Sequence, residues 1–121
     1  MRRSSTLQDT ELTITDLDEP AQQTALTDFA HFYLRHYRTN DLEIIAQYKV
    51  DYAMNDINMY LYANQYFQPQ QLATDVLTNK RDLFLAILQT INLPYNTNGS
   101  LKDNSWDSWY QQQYAAIDEG K

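Results

Sequence analysis

Apolar and polar positions along the chain repeat mostly at the helical interval. From Asp18 onward, large apolar residues return every three or four positions, and breaks in that rhythm coincide with capping residues or proline. A first helix is predicted over about 20–39. Asp18 can cap it, and Pro20 suits its first turn, where a missing N–H costs nothing. Leu26, Phe29, Ala30, Tyr33 and Tyr37 share one stripe of this helix. His31, Arg35 and Arg38 lie on the other side, late in the helix, where the dipole favours cations.

A second helix is predicted over 41–67, opened by Asn40 with Glu43 in capping-box spacing. With neither Gly nor Pro inside, it would be about 40 Å long. One stripe holds Ile45, Tyr48, Tyr52, Met59, Ala63 and Tyr66. A neighbouring stripe holds Leu42, Ala46, Val50, Ala53, Ile57, Tyr60 and Leu61. So wide an apolar arc implies partners on two sides, so this helix is expected at the centre of the fold. Its narrow polar arc carries Glu43, Gln47, Asp51, Asn55, Asn58 and Gln65, with Tyr62 beside it and expected outside.

The segment 69–92 starts at Pro69 and reads either as one helix or as two, broken near 78–79 with Asn79 as the new cap. Leu72, Ala73, Val76 and Leu77 form the first apolar face, and Leu83, Phe84, Ile87, Leu88 and Ile91 the second. Pro94 and the Asn98–Gly99 pair signal a turn. A last helix is predicted over 104–118, with Asn104 as cap, Asp107 at the third position and Gly120 as the stop. Trp106, Trp109, Tyr110, Tyr114 and Ile117 share one stripe of it. The fold class is therefore all-α: a bundle of four to five helices in one domain over 18–121. Residues 1–17 form a polar arm, either flexible or, from the alternation in Glu11–Leu17, an edge strand packed on the bundle or on a second copy.

Composition sharpens this picture. The chain has 121 residues, 43 % hydrophobic and 13 % aromatic, with 2 glycines and 3 prolines, which favours long helices over sheet and turn. It has no cysteine, so disulfides and thiolate chemistry are excluded and a reducing compartment fits. The longest apolar run, Leu83–Leu88, is far short of the roughly 20 residues of a membrane span. The start, with Arg2 and Arg3 but no apolar stretch behind them, does not read as a secretory signal. A cytoplasmic protein with no membrane partner is expected. The formal charge of −7, from 16 acids and 9 bases, disfavours nucleic acid and favours a basic partner.

Candidate chemistry is sparse. Two glycines leave no phosphate cradle or dinucleotide fingerprint. No Gly-x-Ser-x-Gly elbow is present, and paired carboxylates such as Asp51/Asp56 and Asp103/Asp107 are ordinary on helix surfaces. His31 and His36 point about 140° apart on a helical wheel. With four Glu and no Glu-x-x-His, the di-iron pattern is absent. No catalytic residue, cofactor or metal site is assigned. Residues 68–88 have the outline of a helix-turn-helix, but the second helix offers only Lys80 and Arg81 before turning apolar. Asn98–Ser100 forms a glycosylation sequon that reads as a surface turn.

Two features remain for function. Tyr48, Tyr52 and Tyr66 at helical spacing read as core, with Asp56 and Lys49 near enough to take their OH groups. The candidate protein-binding residues are Tyr62, the Trp106/Trp109 pair, Asp51, Asn55 and Asn58. His31, Arg35 and Arg38 read as a solvated, dipole-compatible face or as a docking patch for an anionic or acidic partner. The leading expectation is a non-enzymatic helical protein that binds and regulates or inhibits another protein, with the physique of immunity proteins, antitoxins and phage inhibitors. The alternatives are a homodimeric architectural subunit and a nucleic-acid-binding or nucleic-acid-mimicking regulator.

Overall fold

The computed structural model describes residues 12–39 and 41–119, with side chains through residue 116. Among them are six α-helices and no strand: α1 (Glu19–Arg38), α2 (Glu43–Ala46), α3 (Asp51–Ala63), α4 (Pro69–Asn79), α5 (Arg81–Ile91) and α6 (Trp106–Glu119). The expected Asn40 cap, the Ile117 side chain, the Gly120 stop and residues 1–11 of the arm lie outside the described residues.

Helix α1 starts as its sequence dictates. The Asp18 carboxylate accepts a hydrogen bond from the Ala21 N–H at 3.0 Å, and Pro20 sits in the first turn. Its buried face is wider than one stripe. Ala25, Phe32 and Leu34 join Leu26, Phe29, Ala30 and Tyr33, whereas Tyr37 is half-buried. Helix α1 packs against α4, α5, α6 and the short 3-10 turn Ile14–Asp16, so it is the centre of the fold rather than the 41–67 segment.

That segment is not one helix. It breaks at residues 47–50, where Lys49 takes a φ of 59°, and α3 ends at Ala63. The reason lies in phase. On a straight helix the buried Val50, Ala53, Met54, Ile57 and Leu61 span an arc of about 100°, with Ile44 and Ile45 largely outside it. Ile44 and Ile45 are nonetheless fully buried. The break turns them inward on α2, which packs on α6, while α3 packs on α4 and α5. The buried residues before and after the break thus belong to two helices, each with its own buried face, and the Tyr52, Met59 and Ala63 part of the first stripe is exposed on α3.

The 69–92 segment also divides. Its apolar faces are those the periodicity predicts: Leu72, Ala73, Val76 and Leu77 in α4, and Phe84, Ile87, Leu88 and Ile91 in α5, are buried. Lys80 stands at the junction. Asn79 does not cap α5; its side-chain N–H₂ donates back to the Asp75 carbonyl and to the Tyr60 hydroxyl. Helix α5 stops at Asn92 in the left-handed conformation.

Two isolated bridges tie the remaining chain together. Tyr95 pairs with Leu12 on one side and Leu101 on the other, and its N–H donates to the Leu12 carbonyl at 2.7 Å. Ile14 and Leu17 then bury against the core, so residues 12–17 pack on the bundle without forming a strand. The Asn96–Ser100 turn closes on Gly99, whose φ of +96° and close approach to the Ala21 carbonyl leave no room for a Cβ. Helix α6 is capped by Ser105, which accepts from the Ser108 N–H at 3.1 Å; Asn104 instead accepts from the Ser105 N–H.

Candidate protein-binding face

The outer side of α3 is the surface the sequence misplaces. Tyr52, Met59, Tyr62 and Tyr66 are 63, 73, 68 and 80 % exposed. They are the exposed large hydrophobic side chains among the described residues, and all four come from one stretch of 15 residues. Tyr52, Asn55, Met59 and Tyr62 follow spacings of three, four and three, so they form one stripe along the helix. Tyr66 follows four residues later, just past the helix end, with its ring edge-on to Phe67 at 6.0 Å. Ile57 lies opposite the stripe and is fully buried.

Tyr52 and Tyr66 are therefore not core, contrary to the periodicity reading, and Tyr48 is only half-buried. Within Met59–Phe67 just Leu61 is deeply buried; Tyr60 is half-buried and Tyr62 is outside as expected. Within residues 51–63 the signal was present. The aliphatic Ala53, Ile57 and Leu61 take one face and Tyr52, Met59 and Tyr62 the other, a split blurred by treating 41–67 as one helix.

The stripe has a polar rim. Asp51 and Asn55 are exposed. Asp56 pairs with Lys80 at 2.9 Å rather than with a tyrosine, and Lys49 is exposed at the break. Asn58 is half-buried and structural, accepting the Tyr33 hydroxyl at 2.7 Å. The burial of Tyr33 itself, with the neighbouring Tyr37 adding to it, pushes its phenol far above its usual range, the Asn58 bond opposing. The hydroxyls of Tyr52, Tyr62 and Tyr66 make no hydrogen bond among the described residues. Each presents an apolar ring with an unengaged polar tip, the side-chain type that anchors protein interfaces.

The tryptophan pair is not part of any such face. Trp106 and Trp109 are 7 and 2 % exposed. Trp106 lies 4.8 Å from Phe29 and stacks on Phe32 at 5.6 Å, and Trp109 meets Trp106 edge-on at 5.3 Å. They dock α6 onto α1, because a mostly polar helix needs its few large apolar side chains inward to be held at all.

Beside them is a polar cluster the periodicity did not anticipate. Tyr110 and Tyr114, one turn apart on α6, both donate to the Asp41 carboxylate, at 2.8 and 2.7 Å. These bonds hold the Asp41 carboxyl below the usual range, led by Tyr114, and the Tyr114 phenol is pushed up to about 12. His36 stacks on Tyr110 at 4.2 Å, and burial pushes its imidazole down despite the nearby Asp41. The cluster fastens the loop after α1 to α6.

His31, Arg35 and Arg38 line the exposed side of α1, as expected. Arg35 pairs with Asp107 at 2.9 Å across an exposed gap to α6. His31 interacts with Asp28, whose carboxyl is raised by burial and partly restored by that histidine. Arg38 has no hydrogen bond or ion pair among the described residues. No group of three or more His, Asp or Glu that could hold a metal occurs among them, and no helix is long and apolar enough to cross a membrane. No family model, curated protein or solved structure matches the chain.

Proposed function

We propose that this protein is a non-enzymatic binding module that regulates or inhibits a protein partner by covering it with the outer face of α3. The observation that carries this reading is the concentration of exposed large apolar side chains on one stripe, Tyr52, Met59, Tyr62 and Tyr66, while the aliphatic side chains of the same helix are buried. Scattered exposed residues need no explanation; a contiguous aromatic stripe on a helix supports an interface. Asp51 on its rim and the net charge of −7 favour a partner with a basic surface, which the charge would steer into contact. A cysteine-free chain suits a reducing cytoplasm.

A second reading is self-association. The three-four-three spacing of the stripe is that of a coiled-coil seam, which a second copy could meet. Two chains of charge −7 repel each other, which weighs toward a different, basic partner.

The experiment is affinity capture on immobilised full-length protein, paired with light scattering on the free protein. Wild type should retain one stoichiometric protein, and a Tyr52→Ser/Tyr62→Ser variant should lose it while keeping its helical signal. Retention of the same protein by that variant would sink the reading. A dimer in isolation that the double variant converts to monomer, with nothing else captured, would replace it by self-association.

A further inference from the structure

The seam between α1 and α4 is a groove with an apolar floor and a basic edge. Helix α4 runs back along α1: Thr27 and Ala30 share a depression with Ala73 and Leu77, and Arg38 shares one with Pro69. From Gln23 to Arg38 the seam extends about 22 Å. Its widest part, at the end of α1, is a cavity of about 630 Å³ floored by Leu34, Leu61, Phe67 and Leu72. A neighbouring cavity of about 200 Å³ is bounded by His31, Arg35, Arg38 and Pro69.

Charge sets this groove apart. The chain has 16 acids, yet among the described residues no Asp or Glu lines these three depressions. Asp28 and Asp107 face the adjoining depression between α1 and the start of α6, where they engage His31 and Arg35. Arg38 borders both cavities and keeps its guanidinium unpaired among the described residues. His31, Arg35 and Arg38 succeed one another by four and three residues, so their side chains run along the groove rather than around α1. The positive end of α4, opened by Pro69 behind a Gln68 that gives no side-chain cap, adds to the same field.

We infer that the α1–α4 seam is a second docking site, for an acidic peptide segment of a partner protein that seats a large apolar side chain over the half-buried Phe67 and Tyr37 and places a carboxylate against Arg38, unpaired among the described residues. The apolar floor supplies contact area, and the arginine fork supplies carboxylate selectivity. An uncharged or basic segment gains nothing from the edge, and a bare anion cannot use the floor. This site takes the opposite charge to the α3 stripe and borders it at Tyr66, whose ring meets Phe67 edge-on, whereas Tyr52 and Tyr62 do not line it.

The test is selection of a displayed random-peptide library on the full-length protein, about sixteen residues long so that the seam can be spanned by about seven extended or about fifteen helical residues. Fluorescence anisotropy with the best peptide follows, on wild type, Arg38→Glu and Tyr52→Ser/Tyr62→Ser. Enriched peptides should place Asp or Glu beside a large apolar residue. Arg38→Glu should weaken binding at least about tenfold, Glu→Lys exchange in the peptide should restore it on that variant, and the tyrosine variant should bind as wild type. A basic or purely apolar consensus, no enriched peptide, or binding indifferent to Arg38→Glu would each overturn the site. So would a short duplex DNA that binds through Arg38 more tightly than any selected peptide. Loss of binding in the tyrosine variant alone would assign the peptide to α3, leaving the proposed function standing and the seam without its occupant.

Discussion

The break at Lys49 can be tested by the sign of a single comparison. Lys49 is an exposed residue at φ 59°, a conformation that costs a residue with a Cβ about 1–2 kcal/mol relative to the right-handed helix. Glycine escapes that cost but loses more backbone freedom on folding, about 0.5–1 kcal/mol. Lys49→Gly should therefore stabilise the protein by about 0.5–1 kcal/mol, and Lys49→Ala should leave it nearly unchanged. Were residues 41–67 one continuous helix, the order would reverse, because glycine in a helix interior is about 1 kcal/mol worse than alanine. The two arrangements thus differ by about 2 kcal/mol in the Gly–Ala gap and are opposite in sign. Urea unfolding followed by far-UV circular dichroism measures it: with a slope of about 1.5 kcal/mol/M, the Gly variant should unfold about 0.5 M later than wild type. An Ala variant more stable than the Gly variant would refute the break. Lys49→Pro is a further arm. It removes the N–H that donates to the Ala46 carbonyl at 3.3 Å and cannot adopt a positive φ, so it should cost about 3 kcal/mol or more.

Other consequences of the structure are equally open to measurement. Trp106→Ala should cost about 4 kcal/mol in the same urea assay, since it empties the space between Phe29 and Phe32; a near-neutral result would return the tryptophan to the surface. Gly99→Ala should cost about 3 kcal/mol or more, because the new Cβ would fall on the Ala21 carbonyl oxygen at a φ that already disfavours alanine; wild-type stability would contradict the close approach. Tyr52→Ser/Tyr62→Ser should change the unfolding free energy by no more than about 0.5 kcal/mol, as these side chains are exposed. Acidification should weaken the fold in two steps. The His36 imidazole and the Asp41 carboxyl both take up a proton less readily folded than unfolded, so stability is full above about pH 6.5, falls through the histidine range, and falls again below about pH 4. Tyr33, Tyr48, Tyr95, Tyr110 and Tyr114 are pushed the other way, so stability falls above about pH 10 and their ionisation tracks unfolding; urea midpoints across pH, with His36→Gln and Asp41→Asn as controls, follow each limb.

Much of the architecture was legible because local chemistry and tertiary packing agree. Asp18 and Pro20 mark the start of α1, and the apolar faces of α4 and α5 emerge from spacing alone. Asn98–Gly99 marks the turn that the bundle uses. The misreadings have a common origin in treating apolar periodicity as continuous. At Lys49 the phase of the buried residues jumps, and neither Gly nor Pro is there to announce it. Once 41–67 is read as one helix, Tyr52, Met59 and Tyr66 fall with the core residues, and the exposed face disappears from view. Trp106 and Trp109 show the reverse error: a tryptophan pair on a polar helix fits an anchor for a partner as well as an anchor for its own helix, and only the packing surface offered by Phe29 and Phe32 decides. The Asp41 clamp was hidden because its members lie about seventy residues apart.

That separation also shapes how the chain reaches its fold. Helices α3, α4 and α5 follow one another in sequence and pack as near neighbours, so their contacts close short loops. Helix α6 instead meets α1 and α2 across the intervening chain, and its docking closes loops of about seventy residues. Both tryptophans of the protein lie on α6, buried against Phe29 and Phe32. Intrinsic fluorescence in a refolding experiment therefore reports the arrival of this last helix, and it stays silent while the α3–α5 unit assembles. A circular-dichroism trace that runs ahead of the fluorescence trace is the expected signature of that order.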